Sequence, residues 1–204
     1  MIRFPACLAS CLVLSVALNA QPADCSRVHL LATHPYLADI AEVISGGLVS
    51  TTTLLEPGQD VPHYKVTADD RRAAREAVAL LVIGGGAEPW LNQLIPAGTS
   101  AAPLVAMSEN GSVFELAQIG NALKVTDVVE RLLGELCPGE ADVFAFNSAL
   151  YRQQLLEIQE ELDLRRASAS SPPIHLNTRD RAPKTYRAWL RQQHGLPSDL
   201  PAKN

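Results

Sequence analysis

Residues 79–83, Ala-Leu-Leu-Val-Ile, form an unbroken apolar run that ends at Gly84-Gly85-Gly86. A strand with one solvated face alternates apolar and polar residues. A run without alternation suits burial on both faces, the position of a central strand in a parallel sheet. Parallel strands need crossovers, and the chain supplies them. Val28-His29-Leu30-Leu31-Ala32-Thr33, Leu48 to Leu55 and Pro103-Leu104-Val105-Ala106-Met107 read as further strands. Between them, Leu37, Ile40, Ala41 and Ile44 recur at helical spacing, and Gly46-Gly47 stops that helix. Thr67-x-x-Asp70 outlines a capping box, and Glu88-Pro89-Trp90-Leu91 starts another helix. Strands alternating with helices predict an α/β fold built on a mainly parallel, doubly wound sheet.

Two longer helices follow. Val125, Val128, Val129, Leu132, Leu133 and Leu136 make one apolar stripe, and Pro138-Gly139 breaks the chain. The second helix is expected over Glu140–Arg166, with Leu150, Leu155 and Ile158 packing on the sheet lobe. At 1.5 Å per residue it would be roughly 40 Å long, more than a small domain needs. Ser168 to Pro173 reads as a linker, Ile174-His175-Leu176-Asn177 as a short strand, and Thr185 to Gln193 as a last helix ended by Gly195.

Residues 1–20 read as a secretory signal, with Arg3 as the positive start, Ala6–Leu18 as the apolar stretch and Leu18-Asn19-Ala20 as the cleavage site. Leu8-Ala9-Ser10-Cys11 resembles a lipoprotein box, but almost no apolar run precedes it, so a soluble exported product is expected. No other stretch suits a membrane span. Cys7 and Cys11 leave with the signal, and Cys25 and Cys137 remain in an oxidising compartment, as a disulfide or as two buried thiols. With 17 basic and 22 acidic residues, net −5, nothing points to nucleic acid.

The segment Leu54-Leu55-Glu56-Pro57-Gly58-Gln59-Asp60-Val61-Pro62-His63-Tyr64 follows a strand and precedes a helix, where open α/β sheets place ligands. His63 is the leading metal-donor candidate, with the carboxylates of Glu56 and Asp60 nearby. His34 ends the first strand as His63 follows the second. If those strands are neighbours the two imidazoles could converge, although His34 also suits a helix cap before Pro35. Glu88, after the third strand, could add a carboxylate or simply sit at a helix start. Gly84-Gly85-Gly86 lacks the Lys-Ser/Thr ending of a phosphate loop. No nucleophile and base are arranged for catalysis, so an enzyme is not expected.

The order of these motifs resembles the zinc/manganese solute-binding proteins of bacterial ABC transporters. The resemblance rests on Pro35-Tyr36-Leu37-Ala38-Asp39-Ile40-Ala41 after the first strand, Pro57-Gly58 leading to Pro62-His63-x after the second, Gly84 to Leu91 after the third, and the long helix. It covers roughly residues 28–196 and implies two lobes joined by that helix. His63 matches the family's first ligand. Gln118-Ile119-Gly120-Asn121 stands where the second His would be, and Arg179-Asp180-Arg181-Ala182 where a His-Asp-Ala segment would be. The chain then ends before the carboxylate ligand. The resemblance thus implies a signal (1–20), a first α/β lobe (26–139), a linking helix (140–167) and a remnant of the second lobe with a tail (172–204). The implied function is a periplasmic protein binding Zn²⁺ or Mn²⁺ through a degenerate site, in which His63 is the family position and His34, Glu88 and Asp60 are added from their own places after the strands and in the loop. The alternative is a metal-independent module docking on a transporter permease or a full-length binding protein.

Overall fold

The computed structural model describes residues 24–96, 104–106, 118–167 and 185–196. The export signal, the linker and the short strand expected at 174–177 lie outside the described residues. Strands β1 (His29–Ala32), β2 (Ser50–Thr53), β3 (Ala79–Val82) and β4 (Leu104–Ala106) form one parallel sheet in the order β2-β1-β3-β4. Leu31 lies opposite Thr52 on one side and Leu80 on the other. The central strands are the apolar ones: Leu30, Leu31, Ala32, Ala79, Leu80 and Leu81 are buried. β2 is an edge, and Ser50, Thr52 and Thr53 keep it solvated. His29 fastens that edge, its Nδ1 lying 3.0 Å from Ser50 Oγ and its Nε2 3.1 Å from Thr52 Oγ1.

Among the described residues the helices are α1 (Pro35–Ser45), α2 (Ala68–Glu76), α3 (Leu91–Leu94), α4 (Ile119–Leu136), α5 (Ala141–Ala167) and α6 (Tyr186–Gln193). α1 ends at Gly46, which adopts φ 62°. A Cβ there would lie 3.0 Å from Asn147 Nδ2 of α5, and that amide donates to the Ile44 carbonyl at 3.1 Å. Glycine therefore serves both the left-handed turn and the close approach of α5. α2 opens with a complete capping box: the Asp70 amide donates to Thr67 Oγ1 at 3.2 Å and the Thr67 amide to Asp70 Oδ2 at 2.7 Å. The helix expected from Glu88 is only the single turn of α3, because the Glu88 carboxylate binds the backbone behind it instead of capping the turn ahead.

α5 buries Phe144, Ser148, Tyr151, Leu155, Ile158 and Leu162, a stripe of i, i+4, i+7 spacing against α4 and α1. Leu150, expected on that face, is 46% exposed, as are Val143, Phe146, Leu156 and Leu164 to similar or greater degree. Apolar residues occupy both sides of this helix, so periodicity alone could not select the buried one. Phe144 and Tyr151 lie on the buried side of a helix packed on α4 and α1.

α6 folds back on α1 and α5. Thr185 caps it by accepting the Ala188 amide, and Asp39 Oδ2 of α1 accepts the Tyr186 amide at 2.9 Å. Tyr36 packs between Tyr186 and Trp189, with ring centroids 5.9 and 4.7 Å away. Arg191 is buried and donates to Glu161 Oε2 at 2.9 Å, while Arg165 reaches the Gly195 carbonyl at 3.1 Å. Burial raises the Asp39 carboxyl, with Glu42 adding to the effect, against the Tyr186 amide and Arg187. A carboxyl raised in the fold contributes stability below its unfolded value that is lost as pH rises through the folded one. Asp39→Asn keeps an oxygen for the Tyr186 amide without a buried charge. Its thermal midpoint at pH 7 is expected to match or exceed that of the parent; a fall of several degrees would show that the attraction to Arg187 outweighs burial.

Cys25, just ahead of β1, is bonded to Cys137 between α4 and α5, with Cα atoms 5.7 Å apart.

Candidate metal site at the carboxyl end of the sheet

Because the sheet is parallel, the segments leaving β1, β2 and β3 emerge at the same end. The β2 segment closes in the turn Val61-Pro62-His63-Tyr64, where the Tyr64 amide donates to the Val61 carbonyl at 3.3 Å. Pro62 stands at the second position, where its fixed φ suits a tight turn, and His63 follows. The imidazole is 83% exposed. Its Nδ1 lies 2.7 Å from Asp60 Oδ2. A carboxylate partner requires a proton on Nδ1, which leaves the lone pair of the neutral ring on Nε2. This is the arrangement in which a second carboxylate orients a metal-donating histidine. As a salt bridge between exposed groups it adds little stability.

The same carbonyl that closes the turn is held from the side. Trp90 Nε1 donates to the Val61 oxygen at 2.7 Å, and the Trp90 ring lies 5.0 Å from that of Tyr64. The Tyr64 hydroxyl donates to Asp70 Oδ2 at 3.0 Å, joining the turn to the cap of α2. Burial, and then Asp70, push that hydroxyl up to about 12.

His34 is placed differently. It is the cap of α1, 5% exposed, and its Nδ1 accepts the Tyr36 amide at 3.3 Å. Its ring lies 4.7 Å from that of Tyr36, and burial depresses it to about 4. Glu88 is 3% exposed. Its Oε1 accepts the Ile83 amide at 2.8 Å and the Thr33 hydroxyl, and its Oε2 accepts the Gly84 amide at 2.9 Å. The carboxylate thus binds the ends of β1 and β3 together. Gly84, Gly85 and Gly86 take φ 85°, 55° and 92°, a sequence of left-handed residues that wraps the turn around it. The first amide of the glycine run, that of Gly84, is thus taken by Glu88.

Of the four candidates, the structure brings together His63 and Asp60. His34 and Glu88 are engaged in internal bonds. Among the described residues, no group of three or more His, Cys, Asp or Glu is arranged to hold a metal ion. Glu56 is exposed, its amide bonded to Gln59 Oε1 at 2.9 Å. Sequence reasoning did not find Trp90 as a support of the turn. Its only signal was an aromatic residue two positions beyond Glu88.

The family model described as zinc-uptake complex component A periplasmic (ZnuA) matches residues 30–189. The manganese-binding lipoprotein MntA of Halalkalibacterium halodurans is 26% identical over 148 residues, which are 67% of this chain and 49% of that protein. The Bacillus subtilis MntA is 28% identical over 143 residues, 63% of this chain and 47% of that protein. The chain therefore spans about half the length of the curated relatives it matches. The periplasmic zinc-binding protein TroA from Treponema pallidum shares the fold at a TM-score of 0.63 and 23% identity, over 72% of this chain and 57% of that one. The Mn-bound periplasmic metal-binding protein from Candidatus Liberibacter asiaticus aligns at a TM-score of 0.60 and 22% identity, over 68% and 56% of the two chains.

Proposed function

The chain belongs to the family of periplasmic zinc-uptake components (ZnuA), and from that premise we propose that it is an exported zinc- or manganese-handling protein whose ion site is reduced to one oriented imidazole. Transport, not catalysis, is the role this family carries. The observation that supports the reading is the His63–Asp60 pair at the carboxyl end of the sheet, with the ring fixed through Nδ1 at 2.7 Å and Nε2 turned free for an ion. Imidazole with carboxylate support suits zinc or manganese, and Cys25 and Cys137, tied in a disulfide, offer no thiolate to copper(I). One protein nitrogen is a quarter of the donors a structural zinc takes, so water or a second protein would complete the shell. In domain terms, residues 26–139 would be the first lobe, 140–167 the linking helix and 172–204 what is left of the second.

Calorimetric titration of the mature protein with zinc tests this. Weak uptake is expected in the parent and none in His63→Ala. Asp60→Asn is expected to weaken binding about tenfold, the lower end for loss of an orienting partner. His34→Asn and Glu88→Gln should bind as the parent does. Equal binding by the parent and His63→Ala would place the donors elsewhere.

A second reading is a docking module for a permease or a full-length binding protein. It is favoured by the internal commitments of His34 and Glu88, which withdraw two of the four candidate donors from any ion. If the parent takes up neither zinc nor manganese at millimolar concentration, this reading replaces the first.

A further inference from the structure

We infer that Trp90 is a positioning residue for His63: its indole N–H and ring fix the tight turn that carries the exposed imidazole, so that a side chain lying in solvent keeps one direction. The role given to His63 rests on the function proposed above; the brace itself does not.

Three observations carry it. The Val61 carbonyl accepts two hydrogens, one from the Tyr64 amide at 3.3 Å, which closes the turn, and one from Trp90 Nε1 at 2.7 Å. The Trp90 ring also faces Tyr64 at 5.0 Å, so the indole touches the residues on either side of the Pro62-His63 pair. Trp90 is itself immobilised: it is 2% exposed and lies two residues beyond Glu88, whose carboxylate binds the Ile83 and Gly84 amides and the Thr33 hydroxyl. The buried carboxylate holds the glycine turn, the glycine turn sets the indole, and the indole holds the carbonyl from which the His63 turn hangs. A purely space-filling tryptophan needs no particular acceptor, whereas this one finds a partner as buried indoles do. The β2 segment has no regular structure between Leu54 and Thr67, so without this brace the turn would depend on Pro62, its own Tyr64–Val61 closure, the exposed His63–Asp60 pair and the Tyr64–Asp70 bond.

The test separates the brace from the ion. In Trp90→Phe the ring is largely kept and the N–H donor is lost. Amide hydrogen exchange, read residue by residue by NMR, is expected to accelerate about tenfold at Tyr64, with the β1 and β3 amides unchanged. The Nδ1-protonated imidazole signature of His63, seen in its ring nitrogen shifts, is expected to diminish. If Trp90→Phe does not fold, 3-benzothienylalanine at position 90 keeps the bicyclic shape and removes only the N–H. Unchanged exchange at Tyr64 together with an unchanged His63 signature would overturn the inference. A zinc titration of the same proteins addresses the function separately: with a zinc-binding parent, about tenfold weaker binding by Trp90→Phe is expected, and equal binding would overturn the positioning role. A parent that binds no zinc would remove the proposed function, while the exchange result would still decide whether Trp90 holds the turn.

Discussion

Between pH 7 and pH 4, the parent protein is expected to lose about 3 kcal/mol of unfolding free energy more than His34→Asn does. His34 titrates near 6.5 when unfolded and is depressed to about 4 in the fold by burial. A group depressed in the fold contributes stability above its unfolded value, and that contribution is lost as pH falls from about 6.5 toward 4. Below the folded value nothing more is lost, because both states are then protonated. The gap between 6.5 and about 4, at about 1.4 kcal/mol per pH unit, comes to about 3.5 kcal/mol in full, of which about 3 is lost by pH 4, where the folded imidazole is half protonated. Asparagine is a good helix cap, so the variant can still accept the Tyr36 amide but cannot titrate. Removing the ring lowers stability at every pH through lost packing on Tyr36, which is why the change in the gap, and not its size at pH 7, is the quantity to follow. Urea unfolding of both proteins at half-unit pH intervals measures it. A gap that does not narrow on acidification would mean that the imidazole charges in place, with solvent reaching it.

Reduction of the Cys25–Cys137 bond is expected to lower stability by about 4 to 5 kcal/mol. The closed loop is long, with a sequence separation of 112, and the entropy that the cross-link removes from the unfolded chain grows with the logarithm of that length. The paired Cys25→Ala, Cys137→Ala variant gives the same comparison without reductant. Both positions are buried, so a small packing loss is added to the entropic one. Guanidinium unfolding with and without reductant reads the shift, and thiol counting on unreduced, denatured protein from the native compartment verifies the bond. Two free thiols, or coincident curves, would rule it out.

The sheet was the most legible part of the chain. Continuous apolar runs at Leu30-Leu31-Ala32 and Ala79-Leu80-Leu81-Val82, short and closed by turn residues, read as central strands, and β1 and β3 do lie inside the sheet. Thr67 and Asp70 announced their cap because a capping box is local, four residues long and read directly from residue types. What was illegible depends on contacts between distant segments. Leu150 and Tyr151 are adjacent and both apolar enough to face a core; which of them does so is decided by α1 and α4, not by α5 itself. His34 was legible as a cap. Its depth was not, because residue type shows a cap and not how far the surrounding fold, with the Tyr36 ring 4.7 Å away, encloses it. Glu88 looked available to an ion because residue type shows that a carboxylate is present, not which amides already occupy it. His63 stands at the opposite extreme. The Pro57-Gly58 turn and Pro62 kept its loop outside regular structure, and Asp60 was legible as a nearby carboxylate, though not as the partner of Nδ1.

The exposure of His63 has a kinetic meaning. An imidazole that is 83% accessible, on a turn held still by its neighbours, lies open among the described residues. An ion bound there would leave as soon as its coordination bond breaks, with no rearrangement of the protein to wait for. Residence would be short and exchange with a nearby donor or acceptor fast. Occupancy would then rise and fall with the free ion in the surrounding fluid, following supply moment by moment instead of hoarding it.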